Sequence, residues 1–141
     1  MATVTWRGIA LQAKLAQVAY HNALKAGQYA VGQVKRSMKK GGQRRTKGKK
    51  RLPTAHSLPG QVPFVQTSTL KNSVVAVVER KGNVIISKFG SKVKYAARLE
   101  WGFMGTDSLG RSVQQLARPY LRPVLRKHWK TLKKILTTGS P

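Results

Sequence analysis

The sequence predicts an α+β domain: a small antiparallel sheet, made of a hairpin at about 74–89 plus one or two further strands, packed by a long N-terminal helix and a C-terminal helix. Three observations predict it. Apolar residues recur at spacings of three and four across residues 6–38. Two runs rich in Val and Ile, 74–79 and 84–89, flank the turn Arg80-Lys81-Gly82-Asn83. A second helical stripe, Leu121, Leu125, Trp129, Leu132 and Leu136, follows a pair of prolines.

In the first helix the stripe runs through Ile9, Ala16, Ala19, Ala23, Ala26 and Ala30. Leu11, Leu15 and Val18 extend it, and Val31, Val34 and Met38 continue it. Its alanines admit close approach of another element. Gly27 and Gly32 each cost about 1 kcal/mol in a helix interior, so a kink is expected there. Residues 39–66 lack helical periodicity and carry Gly41, Gly42, Gly48, Pro53, Pro59, Gly60 and Pro63. They read as a long basic, Gly/Pro-rich loop inserted in a single domain spanning 1–141. Thr67, Ser68 or Thr69 is placed to cap a turn of helix over 70–73. After the hairpin, with Glu79 beside Arg80 and Lys81, residues 95–102 read as a short helix. Residues 102–110 read as a turn-rich loop and 113–117 as a short strand. Pro119 and Pro123 frame the start of the last helix.

Charge sets this chain apart. Its 141 residues hold 28 Lys and Arg against three acids, Glu79, Glu100 and Asp107, a formal net charge of +25. Such a chain repels itself and seeks polyanions: nucleic acid first, then an anionic membrane or an acidic protein surface. Eight cations crowd one stretch of the loop: Lys39, Lys40, Arg44, Arg45, Lys47, Lys49, Lys50 and Arg51. These are the candidate contacts to nucleic acid or another anionic partner, since clustered cations release counterions from phosphates. A solvated loop and an import signal are the alternatives. No motif for reading bases appears. Trp6, Trp101 and Trp129 sit on apolar stripes and are expected in the core.

Catalysis is not expected. The three acids are scattered, so no carboxylate pair shares a substrate. His21, His56 and His128 lack metal-ligand spacing, and with no cysteine there is neither a disulfide nor a thiolate metal site. GGQRRTKGKK does not fit the phosphate-binding loop pattern. No metal or cofactor is expected. No apolar run approaches the ~18 residues of a membrane span, and no secretory leader pattern opens the sequence. A soluble protein with no membrane partner is expected.

Three stretches carry a resemblance: PGQVPFVQTSTLKNSV (59–74), GSKVKYAARLEWGF (90–103) and ARPYLRPVL (117–125). In order and spacing they resemble the siphophage tail-completion family, neck or minor tail proteins that finish the tail tube and join it to the head. That family has a Pro-Gly-x-x-Pro opening, a Gly-x-Leu-x-x-Ser-Ile step, a Tyr-Ala-x-x-Val-Glu-x-Gly block and an Ala-Arg-Pro-Phe-Leu-Arg-Pro-Ala block. Here Ser68, Leu99, Trp101 and Tyr120 stand where Gly, Val, Tyr and Phe are common. The resemblance covers about half of the chain; the charge and the basic loop are not family hallmarks. It implies a virion protein assembled in the bacterial host: a homo-oligomeric, hexameric ring contacting tail-tube and head-connector proteins and packaged viral DNA. The structural or subunit-interface residues it points to are Tyr95, Glu100, Trp101, Arg118, Pro119, Arg122 and Pro123. Glu100, a rare acid, is expected to pair with Arg118 or Arg122, within the chain or between subunits. The rival function is a stand-alone, sequence-neutral nucleic-acid-binding protein of ribosomal or nucleoid type.

Overall fold

The computed structural model describes residues 8–38, 57–65, 68–106 and 108–141. The expected basic contacts at 39–51, together with Trp6, His56 and Asp107, lie outside the described residues. The fold is α+β, as the sequence predicts. Helix α1 spans Gly8–Ser37, α2 Thr69–Ser73, strand β1 Val74–Lys81, β2 Val84–Ser91, α3 Tyr95–Trp101, β3 Phe103–Thr106, β4 Ser112–Gln115 and α4 Arg122–Thr138. Two separate two-stranded antiparallel sheets form, β1–β2 and β3–β4.

One face of β1–β2 lies on α1, and α4 lies on α1 beside it. Ala23, Ala26, Ala30, Val34 and Met38 are the buried stripe of α1. Val34 and Met38 join Val74, Ala96, Tyr120 and Val124 in one cluster. Ala26 and Ala30 meet Leu132 and Ile135 of α4 in another. The small side chains bring the sheet in close. Gly27 is the closest point: a Cβ there would sit 2.7 Å from Ser87 Oγ and 2.9 Å from the Ala76 methyl. Helix α1 runs without a break through Gly27 and Gly32. Gly27 serves the approach of the sheet, whereas a Cβ on Gly32 would meet nothing within 4 Å.

Several local expectations are corrected. The hairpin turn is only Gly82-Asn83, because Arg80 and Lys81 pair with Ile85 and Val84. Glu79 bonds neither of its neighbours but Lys88 across the strands, at 2.7 Å. Ser68 stands at the N-cap of α2 but makes no side-chain capping bond. Residues 103–106, expected in a loop, form β3 and pair with β4 in register Phe103↔Gln115 to Thr106↔Ser112. Pairing, not pattern, makes this short strand.

On α4 the buried residues are Val124, Leu132 and Ile135. Relative to the Leu121–Leu125–Trp129–Leu132–Leu136 stripe, the helix is rotated by roughly 60°, at 100° per residue. Trp129 is therefore exposed, as is Leu136. The alanine-lined face of α1 accepts branched aliphatics; the indole stays outside.

Helices α1 and α4 run antiparallel. Asn22 Nδ2 donates to the Leu136 carbonyl (3.2 Å), Lys25 Nζ to the Gly139 carbonyl (3.2 Å), and Tyr29 Oη meets His128 Nδ1 (3.3 Å). Because α4 ends beside Asn22 and Lys25, the α1 turns before them overhang as an arm. Leu11, Leu15, Val18 and Tyr20 are exposed there. Its Ala, Leu, Gln and Lys content favours helix, and the packed half supplies the nucleus that an isolated helix of this length lacks.

Candidate functional site

The site is built where three distant segments meet: 57–65, α3, and the approach to α4. The chain passes from α3 into β3 through Gly102, whose φ is +81° and whose N–H donates to the Arg98 carbonyl at 2.8 Å. A Cβ at Gly102 would lie 2.9 Å from the Gln115 carbonyl oxygen and 3.2 Å from the Ala117 nitrogen. Only glycine satisfies both the turn and the contact. The returning strand then lies against α3, and Arg118 N–H donates to the Leu99 carbonyl at 2.7 Å. From the other side, Gly60 N–H donates to the Ala117 carbonyl at 2.8 Å.

Glu100 closes the junction. It is 4% exposed. Its Oε2 accepts the backbone N–H of Tyr120 (2.8 Å) and Leu121 (3.0 Å). Its Oε1 accepts the backbone N–H of Arg122 (3.0 Å) and the Arg122 Nε–H (3.2 Å). Pro119 and Pro123 have no N–H to offer. Every N–H in the run Pro119–Pro123 thus ends on one carboxylate. The first turn of a helix leaves donors without intrahelical acceptors. Here Pro123 removes one of them, and a glutamate from α3 takes that of Arg122 together with those of Tyr120 and Leu121 just before it.

A negative group at this end of α4 also faces the favourable pole of the helix dipole. Burial alone would push the Glu100 carboxyl up. The bonds from Leu121, Tyr120 and Arg122, with the Arg122 side chain, outweigh burial and hold it below the ordinary glutamate range. Beside it, burial and the Glu100 charge push the Tyr120 phenol up.

Of the two arginines expected to pair with Glu100, the partner is Arg122, and the pairing lies within the chain. Arg122 Nη2 also donates to the Glu100 carbonyl (2.9 Å), and its guanidinium lies 4.0 Å from the Trp101 ring centroid. A parallel contact places Arg98 4.2 Å from the Phe103 ring centroid. Arg118 instead turns to a pocket of about 370 Å³ that Met38, Phe64, Leu70, Tyr95 and Leu99 help to line. Among the described residues its buried Nε has no hydrogen-bond partner.

Trp101, expected in the core, is 68% exposed, one face covered by Arg122. Tyr95 opens α3 and is partly exposed. Structure thus brings together Tyr95, Glu100, Trp101, Arg118, Pro119, Arg122 and Pro123. Sequence reasoning missed Tyr120 as a core residue, although it stands between the expected ones. It also missed Asn22 and Lys25, which close the far end of α4; an Asn beside the Ala stripe was the available signal.

The buried Glu100 carboxylate is committed to three backbone donors and the Arg122 side chain. Among the described residues no three His, Cys, Asp or Glu side chains gather as metal ligands, and no helix is long and apolar enough to cross a membrane. What the junction can do is fix α3, the strand return and α4 as one rigid piece that presents Trp101 and Arg122 outward. No protein-family model matches the chain, nor does any curated protein or solved structure.

Proposed function

We propose that the chain is a structural subunit of a tailed-phage virion. On this reading it forms a hexameric ring at the neck or tail end, completes the tail tube and joins it to the head connector around the DNA channel. It carries out no reaction.

The observation that carries the reading is the convergence of the three resembling stretches. Residues 59–74, 90–103 and 117–125 are far apart in the chain, yet Gly60 bonds Ala117, Leu99 bonds Arg118, and Glu100 bonds Tyr120, Leu121 and Arg122. Motif residues that knit a scaffold fit a structural family better than an enzyme, whose motif residues converge on a substrate.

Unpartnered apolar surfaces support assembly. The α1 arm leaves Leu11, Leu15 and Val18 exposed, and the hairpin face away from α1 leaves Val75, Val77 and Val84 exposed. Two different apolar patches on one chain are what a head-to-tail interface uses, and such an interface closes into a ring when the rotation allows. The cations at 39–51 are then the proposed contact to DNA in the lumen, made to phosphates without regard to sequence.

Electron microscopy of particles assembled without this chain tests the reading. Heads with unattached tails, or free overlong tubes, are expected. Ordinary virions would overturn it and favour the rival, a monomeric nucleic-acid-binding protein.

A further inference from the structure

We infer that the outer face of α4 is a second nucleic-acid-binding surface, distinct from the 39–51 run, and that it takes a single strand by its phosphates and by a base stacked on Trp129. The inference does not rest on the virion reading. It begins with the rotation of α4. With Val124, Leu132 and Ile135 turned inward, Trp129 is left 60% exposed on the flank of the helix, about 100° round from the centre of the buried face. Arg122, Arg126, Trp129 and Lys133, spaced by four, three and four, share one stripe of the helix. Lys127, Lys130 and Lys134 form the stripe beside it. Arg122 is paired with Glu100 of α3, and no acidic residue stands on α4 itself.

This is a strip of about 16 Å from Arg122 to Lys133, at 1.5 Å per residue. Trp101 extends it past the helix start, because Arg122 lies over the exposed Trp101 ring. Two arginines therefore lie between two indoles, with a lysine beyond: Trp101, Arg122, Arg126, Trp129, Lys133. Single-strand binding surfaces combine cations that follow the backbone with aromatic faces on which bases stack.

A shallow depression at the first turns is lined by Pro119, Arg122, Pro123, Arg126 and Lys127. The helix N-terminus itself is not the attraction: Glu100 already sits on the N–H groups of Tyr120, Leu121 and Arg122, so a phosphate here is met by side chains. Charge decides the class of partner, and the indole decides the strand. A membrane fits less well, because the apolar side of α4 is already spent on α1 and only Trp129 and Leu136 remain to insert. An acidic protein surface would satisfy the lysines but gives the indole no base to stack on.

Fluorescence anisotropy of the full chain with labelled oligothymidylate and with a duplex of equal length, over a salt series, tests this. The wild type should bind the single strand more tightly. Trp129→Ala should weaken single-strand binding by about tenfold and remove the preference over duplex, while Trp129→Phe keeps it. Lys127→Gln/Lys130→Gln/Lys133→Gln should weaken binding at least tenfold and make the salt slope shallower by about 2, at about 0.7 per lost single-strand contact. All of these side chains are exposed, so the melting temperature should hold in each variant. Binding within twofold of wild type in both the Ala and the triple-Gln variants would overturn the inference. So would binding to phosphatidylserine vesicles or polyglutamate without binding to the oligonucleotides.

Discussion

The α3–α4 junction and the α1 arm handle unmet groups in opposite ways. At the junction, the three N–H groups of Tyr120, Leu121 and Arg122 all reach Glu100, and the flanking prolines have none. On the arm, Leu11, Leu15 and Val18 line up on one side of a helix and are exposed. The junction is finished within the chain, whereas the arm leaves an apolar side exposed, the side that the proposed ring would cover. The contrast separates what the fold needs from what the proposed assembly needs. It assigns Glu100 to the first, although a subunit bridge was an equal expectation from sequence.

Substitutions can break that contrast, and the largest effect is expected at the junction. Glu100→Ala leaves three inward-facing backbone N–H groups and the Arg122 Nε–H without their acceptor. The loss should be about 3 kcal/mol, or roughly 10 °C in melting temperature for a chain of this size. A loss under about 0.5 kcal/mol would mean that water satisfies the junction as well as the carboxylate does.

Acid should reproduce part of this. The folded Glu100 pKa is depressed, so its contribution is fully present above the unfolded value of about 4.3 and is lost as pH falls through the folded value. Denaturant titrations at descending pH should show stability falling below that point. In Glu100→Gln the fall should be much smaller, since only two other acids exist in the chain.

Inside α1, two glycines mark where packing begins to matter. Gly27→Ala gains up to about 1 kcal/mol of helix propensity but forces a methyl within 2.9 Å of the Ala76 methyl. Overpacking of that kind costs about 1–3 kcal/mol, so a net loss is expected. Gly32→Ala has open space and should gain about 0.5–1 kcal/mol. Opposite signs in thermal melts are the expected result; equal signs would place the sheet farther from α1 than described. The smallest effect on stability belongs to the arm. Leu15→Asp should leave the monomer's melting temperature within about 2 °C, as for a surface site, yet abolish self-association in sedimentation.

Much of this contrast was legible in the sequence, and the limits have physical causes. The Ala stripe of α1 and the Val/Ile runs fixed the helix and the hairpin because burial imposes their periods of 3.6 and 2. Glu100 stood out as an acid among cations, and Pro119 and Pro123 marked the helix start. What could not be read was that the carboxylate serves backbone donors, because backbone N–H groups leave no mark in a sequence.

The rotation of α4 was hidden for a different reason. Leu125, Trp129 and Leu136 make a good stripe, but which side is buried depends on the partner. The Ala26 and Ala30 face admits Leu132 and Ile135 and leaves the indole out. Strand β3 escaped because Phe103–Thr106 is too short for a pattern and exists by pairing with β4. The arm looked like core because a stripe announces an apolar face, not what covers it.

Native mass spectrometry of the full chain, wild type beside Leu15→Asp, tests the central claim most directly. The account predicts a closed oligomer of six copies for the wild type and a folded monomer for the variant. A wild type that stays monomeric at every concentration, with and without added DNA, would contradict it, and so would a variant that assembles as well as the wild type.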